Sequence, residues 1–320
     1  MISQRAVEAI ETSDTDELLR VVDGYCASAG WDELVEMRAR CQEAVTRGKQ
    51  LWGVDEHIRY RLALEAPGSY AGPVVAEGAA RFALGPLPEV AASTKTWPDL
   101  EPYLGHGPER ATFAGERAVR GESDVDPLAD LPRQIQVWEP SYCLATYKSD
   151  KVEAPSPKPP NTSTVDLGDG PEIVDDHDSE GALADLVQAW TTESNGRCQT
   201  ATVQGSAPDS VRALGLSRAK MVQLQTDEAF AWMAWAGASG GAHGRRRGAA
   251  AGRYGAWWVV AMLSDLDWPP NPDEIAEAVS RLRFFWFDDE APVTGWSLTL
   301  AIDDPDSGLA WAISAVDSAD

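Results

Sequence analysis

Residues 239–258, SGGAHGRRRGAAAGRYGAWW, concentrate positive charge in a chain that is otherwise strongly acidic. Four glycines in this stretch recur every four residues: Gly240, Gly244, Gly248 and Gly252. On an α-helix, which turns about 100° per residue, this spacing forms one slowly turning stripe without side chains. The pattern therefore predicts a single helix with a bare face that packs closely against a neighbour, and the rest of the chain is interpreted as scaffold around it.

A second face of the predicted helix collects cationic and aromatic side chains. It carries five candidate anion-binding residues: His243, Arg246, Arg247, Arg253 and Tyr254. One interpretation is a site for an external phosphate or carboxylate, which backbone N–H groups at the helix start and arginine forks would bind. The other interpretation is an internal ion-pair network, because arginines paired with carboxylates tolerate burial. Arg245 is predicted to point away from this face, and the sequence leaves both interpretations open.

Composition restricts the partners of the protein. The chain has 320 residues, of which 51 are acidic and 27 are basic, and its formal charge is −24. Such a charge repels phosphate backbones and anionic membranes, so general nucleic-acid binding is disfavoured. We expect neither a signal peptide nor a membrane span, because the N-terminus lacks a long apolar run and no 18-residue apolar window occurs.

The cysteines and short motifs suggest no metal or cofactor. Four cysteines are scattered without a CxxC pair, which predicts neither a zinc site nor a disulfide framework and fits a cytoplasmic protein. Neither HExxH nor GxGxxG occurs. His177 lies in the run DDHD, which is interpreted as a solvated acidic loop, with a divalent-cation site as the alternative.

The periodicity predicts an α+β protein with an N-terminal α-helical, repeat-like region. Residues 1–130 contain short amphipathic segments, the clearest at 32–47, and these suggest a stack of helix hairpins of the HEAT or TPR kind. Further helices are predicted at 55–66, 73–84 and 109–120, and Ser13 with Asp16 resembles a capping box. Extended surfaces of such stacks bind protein partners.

The second half of the chain changes in character. Residues 131–178 hold two predicted short strands divided by Pro140, followed by an acidic, proline-rich connector. Residues 179–320 alternate helices and strands and end in RFFWFDD, GWSLTLAIDD and LAWAISAVD, which predict a largely antiparallel sheet around the Gly-Arg helix. The tryptophans of this half are interpreted as core residues, with base or sugar stacking as the alternative.

Three stretches carry a resemblance: SGGAHGRRRGAAAGRYGAWW, WEPSYCLATYK and GKQLWGVDEHIRYRLALEAP. They resemble landmarks of a family found in actinobacteria, a domain of unknown function. The resemblance spans most of the chain and implies a bacterial, cytoplasmic protein. It transfers no activity and no functional residues.

The leading functional interpretation is a non-enzymatic scaffold or binding protein with one localised cationic site that accepts an anion. The alternative is an enzyme acting on a phosphorylated or carboxylated small molecule, with His243 as acid or base and the arginines as charge stabilisers. A third interpretation is local nucleic-acid contact through residues 245–253. The sequence shows no nucleophile or carboxylate at a fixed spacing from His243, which favours the binding protein.

Overall fold

The chain folds into two compact units. The computed structural model describes residues 1–125, 130–167, 170–288 and 295–319. The first unit comprises residues 1–117 together with 124–126 and 145–153, and the second comprises residues 118–123, 127–144 and 154–320. Across the described residues, no helix is both long and apolar enough to span a bilayer.

The first unit is α-helical. Its helices are α1 Gln4–Thr12, α2 Thr15–Ala27, α3 Trp31–Thr46, α4 Trp52–Glu65, α5 Gly68–Ala76, α6 Leu87–Ala92, α7 Trp97–Leu100 and α8 Pro108–Ala118, with a 3-10 turn at Glu101–Tyr103. A short antiparallel pair, β1 Thr146–Tyr147 and β2 Val152–Glu153, completes the unit. From α1 to α5, consecutive helices pack against one another, as in a helix-hairpin arrangement.

Apolar spacing and caps explain these helices. Helix α3 buries Leu34, Met37 and Cys41 at the spacing of one helical face, as predicted. The predicted cap at Ser13 is wrong by one residue: Ser13 ends α1 in the left-handed region, and Asp14 accepts the backbone N–H of Glu17 at the start of α2. The helix predicted for residues 73–84 is also displaced, because α5 ends at Ala76.

The second unit is built on a seven-stranded antiparallel sheet. Its strands are β3 Ser163–Val165, β4 Glu172–Ile173, β5 Arg197–Gln204, β6 Ala219–Leu224, β7 Arg283–Asp288, β8 Trp296–Asp304 and β9 Leu309–Asp317. Their order across the sheet is β3-β6-β7-β8-β9-β5-β4. The helices are α9 His177–Asp185, α10 Gln188–Thr192, α11 Ala207–Ala213, α12 Thr226–Ala238, α13 Ala249–Leu263 and α14 Pro272–Arg281. The fold is therefore α+β with an antiparallel sheet, as the sequence predicts.

Alternating strand residues fill two cores. On one face, Phe284, Leu300 and Ile313 pack with residues of α9, α10, α12, α13 and α14. On the other face, Phe287 and Ala301 pack with residues of α11. Because successive side chains of a strand point to opposite faces, one strand can serve both cores. Helices α12 and α13 lie side by side in the larger core.

The predictions for residues 131–178 need correction. Residues 131–145 form no helix or strand, although all of them are described, so the strand predicted before Pro140 is absent and the strand predicted after it is reduced to β1, Thr146–Tyr147. The connector is not a free linker throughout, because β3 and β4 within it form the two edges of the sheet. Backbone pairing with β6 and β5 fixes these two parts of the connector.

Candidate functional site: the basic loop and the Arg253 ion pair

The stretch that predicted one long helix is a loop followed by a helix. Helix α12 ends at Ala238 and α13 begins at Ala249, and we call residues 239–248 the basic loop. Gly248 caps α13 with φ of 99°, a left-handed conformation that favours glycine. The four-glycine helical stripe is therefore wrong, because three of its glycines lie in the loop. Each glycine costs a helix about 1 kcal/mol relative to alanine, so a glycine-rich run favours a loop.

The close contact expected of the stripe exists at Gly252. A Cβ atom at this position would lie 2.0 Å from the carbonyl oxygen of Ala234, and one at Gly237 would lie 3.1 Å from Cα of Gly252. The backbones of α12 and α13 thus approach one another where neither helix carries a side chain. This contact fixes the start of α13 and, with it, the end of the basic loop.

Backbone hydrogen bonds anchor the basic loop to the rest of the second unit. Asp317 accepts from the N–H of Ala242 at 2.6 Å, and Glu193 accepts from the N–H of Arg245 at 3.0 Å. The carbonyl of Ala238 accepts from the N–H of Arg247 at 2.8 Å. The chain's own carboxylates therefore bind two backbone N–H groups of the basic loop.

Arg253 has the internal ion pair of the second interpretation. Its side chain is 1% exposed, and its Nε and Nη2 atoms donate to Glu139 at 2.6 and 2.7 Å. Its Nη1 atom donates to the carbonyl of Pro132 at 2.8 Å, and Nη2 donates also to the carbonyl of Gln134 at 3.3 Å. The planar guanidinium thus holds residues 132–139 against α13 with a bidentate pair and two carbonyl contacts.

Glu139 is the centre of this network. Besides Arg253, it accepts hydrogen bonds from Trp257 Nε1 at 3.1 Å, from the N–H of Gln136 at 2.9 Å and from the hydroxyl of Tyr142. Burial alone would raise the pKa of Glu139, but the hydrogen bonds and charge of Arg253 lower the pKa below its ordinary value. The same pair raises the pKa of Arg253 against the opposing effect of burial. Both groups stay charged, as a structural ion pair requires.

The other predicted site residues are placed differently. The side chains of His243, Arg245 and Arg247 are exposed on the basic loop. Within the described residues, neither Arg245 nor Arg247 forms an ion pair with a carboxylate; Arg247 Nη1 lies 3.4 Å from the carbonyl oxygen of Asp185. Arg245, which was predicted to point away, therefore belongs with Arg247 on the exposed loop.

Arg246 and Tyr254 lie in other surroundings. Arg246 is half-buried near Cys143: burial raises the pKa of that thiol, and the charge of Arg246 opposes the rise. The ring of Tyr254 packs edge-on against Trp268 at 4.9 Å between centroids. The predicted set of five thus comprises a buried pair member, two exposed loop residues and two residues with local packing partners.

The surroundings of Ser239 do not match the nucleophile site of a serine hydrolase. Residues 237–241 fit the spacing GxSxG, but Ser239 follows a helix, not the strand that a nucleophile elbow requires. Its Oγ accepts from the N–H of Gly241 at 3.1 Å.

In the DDHD run, Asp176 caps α9 by accepting from the N–H of Ser179 and also accepts from Trp311 Nε1, so this carboxylate has a structural role.

The first unit has a buried cation that the sequence did not single out. Lys95 is 7% exposed, and its Nζ donates to the carbonyls of Ala63 and Leu64 at 2.7 and 3.0 Å and to Thr94 Oγ1. Burial lowers the pKa of Lys95 to about 8. These carbonyls belong to the last turn of α4, so Lys95 caps that helix. It also borders a cavity of about 440 Å³ together with Glu65.

Sequence reasoning missed Glu139 and Asp317, which receive the buried arginine and the loop backbone. Glu139 is 114 residues from Arg253, and Asp317 is 75 residues from Ala242. A local sequence pattern cannot identify partners that are this far apart along the chain. The available signal was the strand pattern that places Asp317 at the end of β9.

Fold and site together define an α+β protein with an exposed basic loop above an internally paired arginine. The chain belongs to a family of unknown function, DUF6183, whose family model matches residues 16–319. This match confirms the resemblance to a domain of unknown function. Comparisons with curated proteins and with solved structures found no match.

Proposed function

We propose that this protein is a non-enzymatic binding protein whose basic loop accepts an anionic group. The observation that carries the proposal is the exposure of Arg245 and Arg247, which have no carboxylate partner among the described residues. In a chain with 51 acidic residues, intramolecular partners for arginine are abundant. Two guanidinium groups left to solvent on one short loop favour an external anion.

The anchored backbone of the loop supports this proposal. Bonds from Ala242 to Asp317 and from Arg247 to Ala238 fix the loop without using the arginine side chains. A fixed backbone reduces the entropy lost when the side chains bind a ligand. His243 is exposed on the same loop and adds a further hydrogen-bond donor. We assign the binding role to His243, Arg245 and Arg247, whereas Arg246 of the same loop is half-buried.

Arg253 and Tyr254 have a supporting role in this proposal. Arg253 is committed to Glu139, so its charge holds α13 in place below the loop. The anion is a phosphate or carboxylate group, because planar guanidinium forks match both.

We further propose that protein partners bind the α-helical first unit, as stacked helices present extended surfaces.

The test is the thermal stability of the full chain in a panel of anions. A ligand that binds only the native state raises the melting temperature by mass action. We expect phosphate or citrate to raise the melting temperature of the wild type at low ionic strength. Sodium chloride at about 0.5 M should weaken this rise, because it screens the attraction between the arginines and the anion.

Matched variants separate this site from general charge effects. Arg245→Gln combined with Arg247→Gln should remove the response while keeping the melting temperature measured without anion. Arg133→Gln changes another exposed arginine of the second unit and should keep the response. A wild type that gives the same melting temperature with every anion would show that the loop binds none of them.

A further inference from the structure

A cavity of about 340 Å³ lies where two strands of the sheet diverge. Strands β7 and β8 pair from Arg283 opposite Asp303 to Trp286 opposite Leu300. Beyond Trp286, β7 pairs only with β6 among the described residues, and β8 before Leu300 pairs with β9. The fork between the two strands opens the cavity, whose volume is within the range of small-molecule sites, roughly 300 to 1,000 Å³.

Three tryptophans form the aromatic side of this cavity: Trp232 and Trp235 of α12 and Trp286 of β7. The rings of Trp232 and Trp286 lie 4.2 Å apart between centroids at 32°, and the rings of Trp232 and Trp235 lie 5.5 Å apart at 88°. The ring of Trp235 is thus nearly perpendicular to the ring of Trp232, whereas the ring of Trp286 is tilted only moderately from it. Indole faces carry negative electrostatic potential and attract cations.

The proline-rich segment, residues 156–160, also lines the cavity. Pro157 and Pro160 are half-buried and line the cavity, so the predicted connector takes part in a site. Proline restricts the backbone, and a wall of prolines needs little ordering when a ligand binds. Lys158 lies between two of these prolines in the sequence. Its side chain is exposed, and Lys158 is not one of the lining residues.

The polar groups of the lining also suit a cation. The hydroxyl-bearing residues Thr162, Ser297 and Thr299 line the cavity, as does Asp288. The Thr299 hydroxyl donates to the carbonyl of Phe287, so it can serve a ligand only as an acceptor. Among the described residues, no lysine, arginine or histidine lines it. Lys220, opposite Asp288 in the β6–β7 register, lies outside the lining. This lining would leave the charge of an anionic ligand without a cationic partner.

We propose that this cavity binds a small organic cation with a methylated ammonium group. The tryptophan faces attract the positive charge, the prolines enclose the methyl groups, and the hydroxyl groups accept hydrogen bonds from a polar substituent. The site is separate from the basic loop and of opposite charge preference. Its ligand is therefore distinct from the anion proposed above.

The experiment compares choline with 3,3-dimethylbutan-1-ol, which has the same shape without the charge. Binding of each to the full chain is measured by calorimetry and by the shift of the ligand methyl resonance in proton NMR. We expect choline to bind at least about fivefold more tightly than the neutral alcohol. Its methyl resonance should move upfield, because the protons lie over indole rings.

Variants locate the binding. Trp235→Leu changes a half-buried ring of the cavity and should weaken choline binding about fivefold or more. Asp288→Asn should weaken choline binding about two- to threefold, with little effect on the alcohol. Trp268→Leu is the matched control, because this half-buried tryptophan packs on Tyr254 and Trp258 outside the cavity. Circular dichroism checks that each variant is folded.

Three results would overturn the proposal. Equal affinity for choline and the alcohol would show an apolar cavity without cation preference. No binding of choline by the wild type would remove the site itself. Loss of binding in Trp268→Leu that matches the loss in Trp235→Leu would place the ligand elsewhere.

Discussion

Arg247 and Arg253 are six residues apart, yet their environments are opposite. Arg253 lies on a regular helix, is 1% exposed and holds Glu139 through two hydrogen bonds. Arg247 lies on a loop, is exposed and reaches only a backbone carbonyl among the described residues. The same side chain is thus structural in one place and available in the other. Arg247 precedes the start of α13 at Ala249, and Arg253 follows it.

Lys95 of the first unit gives a third kind of environment. It is buried like Arg253, but carbonyl and hydroxyl oxygens accept from its Nζ, and no carboxylate in the described part of the chain does so. Its pKa accordingly falls towards neutrality, whereas the pKa of Arg253 rises. The comparison shows that the partner, not burial alone, decides whether a buried cation keeps its charge.

The largest effect is expected from removing the partner of the buried arginine. Glu139→Gln should lower the free energy of unfolding by about 3 to 5 kcal/mol, because it leaves the Arg253 charge buried and uncompensated. Urea denaturation of the wild type and the variant measures the difference.

A double-mutant cycle with Arg253→Met isolates the ion pair from general damage to the core. The double variant should be less destabilised than the sum of the two single variants. A loss below about 1 kcal/mol in Glu139→Gln would mean that Arg253 finds another partner or reaches water.

A smaller effect, with a distinct pH dependence, is expected at Lys95. Its pKa is about 8 in the folded chain against 10.5 as its ordinary value, so between these pH values the unfolded chain binds more protons. Stability should therefore rise with pH through this window. Between roughly pH 7.5 and 9.5, the rise should be about 2 kcal/mol, from 1.4 kcal/mol per pKa unit.

The control for this effect is Lys95→Met, which lacks the titrating group. The difference in unfolding free energy between the wild type and this variant, measured by urea denaturation at the two pH values, isolates Lys95 from other groups that titrate. A difference that stays constant with pH would show that Lys95 keeps its ordinary pKa.

The smallest effect on stability is expected at the basic loop. Arg247→Gln should change the free energy of unfolding by less than about 0.5 kcal/mol, since exposed side chains without strong contacts contribute little. Arg253→Gln, the same substitution on the buried helix, should cost several times more. If Arg247→Gln proved as damaging as Arg253→Gln, the contrast between the two environments would be lost.

The sequence predicted more of the fold than of the site, for identifiable reasons. Helix α3 and strands β7, β8 and β9 follow from local apolar patterns that the structure confirms. The sequence predicts a helix where the basic loop lies because the glycine spacing also fits one helical face, although glycine itself disfavours a helix. The aromatic cavity needs β7, β8, α12 and the proline-rich segment together, and no local pattern reports that assembly.

The two edge strands of the sheet have a consequence for aggregation. Strands β3 and β4 come from one short piece of chain and have three and two residues. The seven steps from Val165 to Glu172 span at most about 27 Å, whereas six strand spacings in a flat sheet span about 29 Å. The sheet must therefore curl so that its margins approach. The segment that carries β3 and β4 covers both edges of the sheet and prevents them from pairing with other chains. If this segment detached, the unpaired backbone groups of β6 and β5 would both become exposed.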